Sequence, residues 1–265
     1  AYPKGLLIDA NAFGEGGEPD FGTGWNITGT LSDNDDYAFM GAMLDQITME
    51  YAVDESRVFA SGFSLGGLMS QNMACSMSDR FAAVAAVSFD LQAPDILACE
   101  PGRAVPMLYM HGTNDFIVPY METPGFIGAE GTVDFWVDNN GCSMDSTVTM
   151  FPDIDTTDGS TVTRMAYQNC EGDSEVWFYR IDGGGHAWPG GELVPPAFAD
   201  FLGNLNKDIN ASSEIWNFFN RQQLVTSTGV VPSRAFDVRV FPNPVSDQLN
   251  LEFTLPSEAP VSLQL

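Results

Sequence analysis

The stretch Arg57-Val58-Phe59-Ala60-Ser61-Gly62-Phe63-Ser64-Leu65-Gly66-Gly67-Leu68-Met69 decides the fold. It fits the Gly-x-Ser-x-Gly elbow, in which a short apolar strand turns sharply at a serine and runs straight into a helix. A serine at such a junction is held in a strained backbone conformation that only small neighbours tolerate, so Gly62, Gly66 and Gly67 are expected to supply the room. The helix N-terminus behind Ser64 offers its dipole, and the Leu65 N–H a hydrogen-bond donor, to a developing oxyanion. The bare motif is common by chance. The β-branched and aromatic run before it and the amphipathic run after it make it specific.

A nucleophilic serine needs a base, and the chain contains only two histidines, His111 and His186. Elbow enzymes place Ser first, then Asp or Glu, then His, and both histidines follow Ser64. His111 ends Val105-Pro106-Met107-Leu108-Tyr109-Met110-His111-Gly112-Thr113-Asn114-Asp115, which reads as a buried parallel strand leaving the sheet at its C-terminal edge. That edge is where polar groups gather in an open α/β sheet. Asp115 is therefore expected to orient the base, with His111 a hydrogen-bonded residue at the strand's end. His186 lies in Gly183-Gly184-Gly185-His186-Ala187-Trp188-Pro189-Gly190-Gly191, a loop free to bring an imidazole over the sheet edge. The expected roles are Ser64 as nucleophile, His186 as base and then acid, and Asp115 as orienter. Asp134, Asp138 and Asp182 are less well placed, the first two on a helix.

These three segments in this order, Gly62-Phe63-Ser64-Leu65-Gly66-Gly67, His111-Gly112-Thr113-Asn114-Asp115 and Gly184-Gly185-His186-Ala187-Trp188-Pro189-Gly190-Gly191, resemble a secreted esterase family. It is the α/β-hydrolase group that contains feruloyl esterases and polyhydroxybutyrate depolymerases. Tyr2-Pro3, Gly24-Trp25-Asn26 and Asp35-Asp36-Tyr37-Ala38-Phe39 look like the same family's pattern upstream of the elbow. The resemblance covers about residues 1–222 and implies an extracellular carboxylic-ester hydrolase that uses no cofactor. It leaves the ester open among feruloyl or acetyl esters of plant polysaccharide and polyhydroxybutyrate-type polyester. Trp25 and Trp188 are expected either to form an aromatic wall for a feruloyl ring or sugar, or to be packing residues. A non-catalytic carbohydrate-binding or adhesin-like protein that keeps the fold is the reading from another class.

Strands alternating with helices give a doubly wound, mostly parallel α/β sheet. Asn34 to Tyr51, Leu68 to Met77, Val133 to Asn140 and Ile215 to Phe219 read as helices, with Ser212 or Ser213 capping the last. Compared with the family, few residues precede the elbow and none is a histidine. The chain is therefore expected to lack its first strands and one oxyanion donor, and residues 1–265 alone to be poorly soluble and inactive. Residues 223–236 read as a linker. Residues 237–265 carry Phe241-Pro242-Asn243-Pro244 and then alternate at Leu249, Leu251, Phe253 and Leu255, as at Val261, Leu263 and Leu265. This β-rich segment looks like the start of the C-terminal sorting domain of type IX secretion. It implies the type IX machinery as a partner and a Bacteroidetes-type bacterium as the source.

Ten basic residues against 36 acidic ones give a net charge of −26, which argues against nucleic-acid binding. No segment has the apolar length of a membrane span. Asp153-x-Asp155-x-x-Asp158 reads as a solvated turn before it reads as a calcium site, and no metal is expected. Four cysteines allow three pairings. Cys75–Cys99 would tie the elbow helix to the loop before the Asp115 strand, and Cys142–Cys170 would close a loop over two strands. Neither pair has metal-ligand spacing, and both suit an oxidising compartment.

Overall fold

A computed structural model describes residues 6–9, 21–25, 35–192, 199–224, 238–241 and 250–253. The chain divides into two compact units, Ala1–Leu224 and Val225–Leu265. In the first unit β1 (Leu6–Asp9) and β2 (Phe21–Gly24) pair antiparallel. Helix α1 (Asp36–Glu50) follows, capped by Asp35, whose side chain accepts from the Ala38 N–H at 2.9 Å.

The elbow strand β3 (Phe59–Phe63) leads into α2 (Leu65–Ser76), and β4 (Ala83–Val87) leads through α3 (Ala93–Ala98) to β5 (Met107–Gly112). Helix α4 (Gly128–Asn139) precedes β6 (Ser146–Met150), β7 (Thr161–Tyr167) and β8 (Val176–Asp182). Short α5 (Ala199–Leu202) and α6 (Ala211–Phe219) complete the unit's described elements. Six strands form one sheet in the order β3-β4-β5-β8-β7-β6. The first four are parallel, β7 pairs antiparallel with β8, and β6 pairs antiparallel with β7. The result is a mixed, α/β-hydrolase-like sheet.

Alternate residues of its strands feed two cores. Val84, Ala86, Met107, Tyr109 and Phe178 pack with Leu68, Met69 and Met73 of α2 and Val133, Trp136 and Val137 of α4. Ala83, Ala85, Leu108, Met110, Trp177 and Tyr179 pack on the other face with Ile215, Phe218 and Phe219 of α6. Helices on both sides explain why β4 and β5 are buried along their whole length and read as unbroken apolar runs.

Two details depart from the sequence reading. The cap of α6 is Asn210, whose side chain accepts from the Ser213 N–H at 3.0 Å, not Ser212 or Ser213. Trp216, which the sequence groups with Ile215, Phe218 and Phe219 as loading that helix, is 58% exposed, whereas the other three are buried. Both expected disulfides, Cys75–Cys99 and Cys142–Cys170, are present. They close loops with sequence separations of 24 and 28, a length at which a crosslink typically contributes about 3 kcal/mol.

In the second unit β9 (Val238–Phe241) pairs antiparallel with β10 (Asn250–Phe253). The expected strand end at Tyr2-Pro3, the linker beyond Leu224, Pro242-Asn243-Pro244 and the alternation at Val261 to Leu265 lie outside the described residues. No helix among the described residues is long and apolar enough to cross a membrane.

Candidate active site

Ser64 is the pivot between β3 and α2 and has φ 54° and ψ −127°. A non-glycine residue in this region is strained and persists only when its surroundings overdetermine it. Here the Ser64 N–H donates to the Val87 carbonyl at 2.9 Å, and its own carbonyl accepts from Gly67 N (2.7 Å) and Leu68 N (3.1 Å). The turn brings the Gly66 backbone against Gly62, where an added Cβ would lie 2.1 Å from the Gly66 oxygen. Gly66 itself has open space at that position. The room expected from Gly66 is therefore room that Gly62 must leave for it. No acceptor for the Leu65 N–H occurs among the described residues, so a donor stands at the start of α2, one residue past the serine.

The other two motifs meet because their loops are zipped together. Thr113 N donates to the Ile181 carbonyl at 2.9 Å, Asn114 N to the Gly184 carbonyl at 2.8 Å, and Gly183 N to the Thr113 hydroxyl at 2.8 Å. Gly112 permits this approach: a Cβ there would sit 2.3 Å from the Gly184 oxygen. Asp115 and His186, 71 residues apart, are thereby joined by a hydrogen bond of 2.8 Å from Nδ1 to Oδ2. Both are buried. The second oxygen, Oδ1, accepts from Ile117 N and Val118 N, each at 2.9 Å. Because Nδ1 faces the carboxylate, Nε2 is the nitrogen left for proton transfer. The His186 N–H donates to the Leu202 carbonyl at 2.6 Å, and its ring lies 4.8 Å from that of Phe63, the residue before Ser64.

His111 is fully buried between Tyr109 and the Val118 carbonyl. Asp134 and Asp138 lie on α4, as expected, and Asp182 ends β8. The two tryptophans do not form one wall. Trp25 packs against the core face that holds α2 and α4, and Trp188 against the opposite face, with its Nε1 donating to Ser212 Oγ at 3.2 Å. Two of the three carboxylates of the Asp153–Asp158 turn are engaged within the protein: Asp155 with Lys207 Nζ at 3.0 Å, and Asp158 with Ser160 N and Lys207 N.

Two residues at this edge escaped the sequence reading. Ser88, also at positive φ (56°), reaches from the end of β4 to the Ala187 carbonyl at 3.5 Å, beside His186. Asp90, three residues beyond β4, is fully buried; its Oδ2 accepts from Gly128 N at 2.8 Å, and Oδ1 has no partner among the described residues. The signal available for both was the polar pair after an apolar strand, the pattern that marked Asp115. Burial first, with the nearby Asp115 charge adding to it, pushes the Asp90 carboxyl up from 3.8 to about 6, against the Gly128 hydrogen bond.

The sign of its contribution to stability follows from that rise. Below pH 4 the carboxyl is protonated both folded and unfolded. Between about 4 and 6 only the unfolded chain ionises, so stability falls as pH rises, by up to about 3 kcal/mol, and above 6 the loss is complete. Asp90→Asn, which keeps an acceptor for Gly128, should therefore gain stability over the parent at pH 7.5 and little at pH 4. Urea unfolding at both pH values checks this, and an equal difference at the two would refute the assignment.

Residues 37–128 match the family model described as phospholipase/carboxylesterase. Over 194 residues the chain is 33% identical to feruloyl esterase B of Piromyces equi, a match covering 69% of this chain and 34% of that protein. Over 183 residues it is 32% identical to a probable feruloyl esterase C of Aspergillus clavatus, covering 68% and 60% of the two chains. The chain thus spans between a third and three fifths of these two relatives' lengths. Among solved structures it is similar to an acetyl xylan esterase from Aspergillus awamori, at 16% identity and a TM-score of 0.45, covering 70% of this chain and 67% of that one.

Proposed function

We propose that this protein is a secreted serine carboxylic-ester hydrolase acting on feruloyl or acetyl esters of plant polysaccharide, with Ser64, His186 and Asp115 as its triad. The observation that carries the reading is the buried 2.8 Å bond between His186 and Asp115, with the His186 ring against the residue that precedes the strained Ser64. In this mechanism Ser64 Oγ attacks the ester carbonyl carbon while His186 Nε2 takes its proton. The Leu65 N–H stabilises the oxyanion, and His186 returns the proton to the departing alcohol. Water, deprotonated by His186, then attacks the acyl-enzyme and releases the carboxylic acid and Ser64. Asp115 holds the imidazole in the required tautomer and stabilises the imidazolium. The esterase family match and the feruloyl esterase relatives support ester hydrolysis and the substrate class. Two disulfides favour an oxidising compartment. Phe241-Pro242-Asn243-Pro244 supports export by type IX secretion.

The test is a substrate panel on the full-length protein: methyl ferulate, acetylated xylan and hydroxybutyrate oligomers. A fluorophosphonate probe mapped by peptide mass spectrometry accompanies it. Turnover of the first two, with the label on Ser64, is expected. Preference for the oligomers would make it a polyester depolymerase, and neither turnover nor label would favour the non-catalytic, carbohydrate-binding reading.

A further inference from the structure

Behind the Asp115–His186 pair lies a buried polar chain whose proton positions follow from its partners. His111 Nε2 stands 2.9 Å from the Val118 carbonyl oxygen, which can only accept, so Nε2 carries the proton. Nδ1 is then bare and accepts from the Tyr109 hydroxyl, its other hydrogen-bond partner. Val118 is held from two sides: its carbonyl by His111, its N–H by Asp115 Oδ1 at 2.9 Å. The same His111 Nε2–H lies 3.5 Å from Asp115 Oδ2, the oxygen that faces His186.

We propose that His111, locked in this tautomer by Tyr109, is a positioning residue that braces the 115–118 turn through Val118 and keeps the Asp115 carboxylate aimed at His186. The inference rests on the triad reading above. Tyr120 meets the His111 ring edge-on at 5.9 Å between centroids. Burial lowers the affinity of His111 for a second proton, as does the His186 charge when present, whereas Asp115 and the Val118 bond oppose this. Asp90 lies close enough to act on Tyr109. His111 thus works as a neutral donor. Without its N–H the carboxylate would hold the His186 imidazolium more tightly, and because the base must be neutral to act, activity would be lost on the acidic side and need a higher pH to recover.

The experiment is done on the full-length protein, with the imidazole signals of His111 and His186 assigned by loss of each in its own variant. In nitrogen-15 spectra the His111 imidazole should be a neutral Nε2–H tautomer that does not titrate across the stable pH range, and the His186 ring should carry its proton at Nδ1. His111→Phe and Tyr109→Phe should each lower kcat about tenfold or more with little change in KM. For His111→Phe the acidic limb of kcat/KM should also move up by about half a pH unit. His111→Gln, whose amide can donate to Val118 and accept from Tyr109, should recover most of the loss. If His111→Phe fails to fold, Tyr109→Phe and the unsubstituted spectra still decide. A His111 ring protonated at Nδ1 or titrating near neutrality, or folded variants with unchanged kcat and pH profile, would overturn the proposal. Ser64→Ala run alongside separates the two failures. Retained activity there sinks the triad reading itself, whereas an inactive Ser64→Ala beside indifferent His111 variants sinks only the bracing role.

Discussion

Ser64→Ala is expected to lower kcat by a factor on the order of 10⁶, the scale at which a triad nucleophile fails when the rest of the site remains. The hydroxyl contributes no hydrogen bond among the described residues, whereas the Ser64 backbone is held by Val87, Gly67 and Leu68. Alanine keeps those backbone bonds and carries the same positive φ, so the melting temperature should shift little. Catalysis and folding are therefore separable at this position. The check is active-site-titrated kcat on a chromogenic ester, paired with a thermal melt of the same preparation. Activity above about a hundredth of the parent's would show that Ser64 is not the nucleophile. A companion, Asp115→Asn, should lose on the order of 10⁴, because the amide can present its N–H to His186 and select the wrong tautomer.

The second large effect is on stability. Gly62→Ala would place a methyl group 2.1 Å from the Gly66 oxygen and 2.2 Å from its carbonyl carbon, both backbone atoms that cannot swing aside. Relief requires α2 to move away from β3, which breaks the turn that holds Ser64. A loss of ~3 kcal/mol or more is expected, with activity falling in parallel. Gly66→Ala is the matched control. Its methyl would meet nothing within 4 Å, and alanine is the better helix former by about 1 kcal/mol. Urea unfolding of both variants should therefore give changes of opposite sign. A Gly62→Ala protein as stable as Gly66→Ala would mean that the elbow is not as tight as described.

Much of this was legible in the chain. Phe59 to Met69 dictates strand, turn and helix because an apolar run followed by Gly-x-Ser-x-Gly-Gly has few other ways to satisfy its backbone. The runs through Val84 and Met107 announce parallel strands because burial on both faces leaves no polar alternation. With only two histidines in the sequence, the base had to be His111 or His186. Local signals were weaker where several groups competed. Ser212 and Ser213 looked like caps, but Asn210 stands one residue before the first helical turn and takes the bond. For Trp25 and Trp188 the sequence left wall and packing residue open, because aromatic identity says nothing about which face of a sheet a loop returns to; each packs against a core, on opposite faces.

By itself, then, the sequence determined the order of the strands along the chain, the strained serine between strand and helix, and the chemical types available to act. It did so because backbone sterics and hydrophobic periodicity are local. Only the tertiary structure decided that Asp115 meets His186, that His111 is sealed behind them, and that Asp90 is buried with an oxygen unpaired. Each of these depends on how the ends of β4, β5 and β8 are brought together, across 71 residues in the case of the Asp115–His186 bond. Burial and charge then act through space, where the spacing of residues along the chain carries no information.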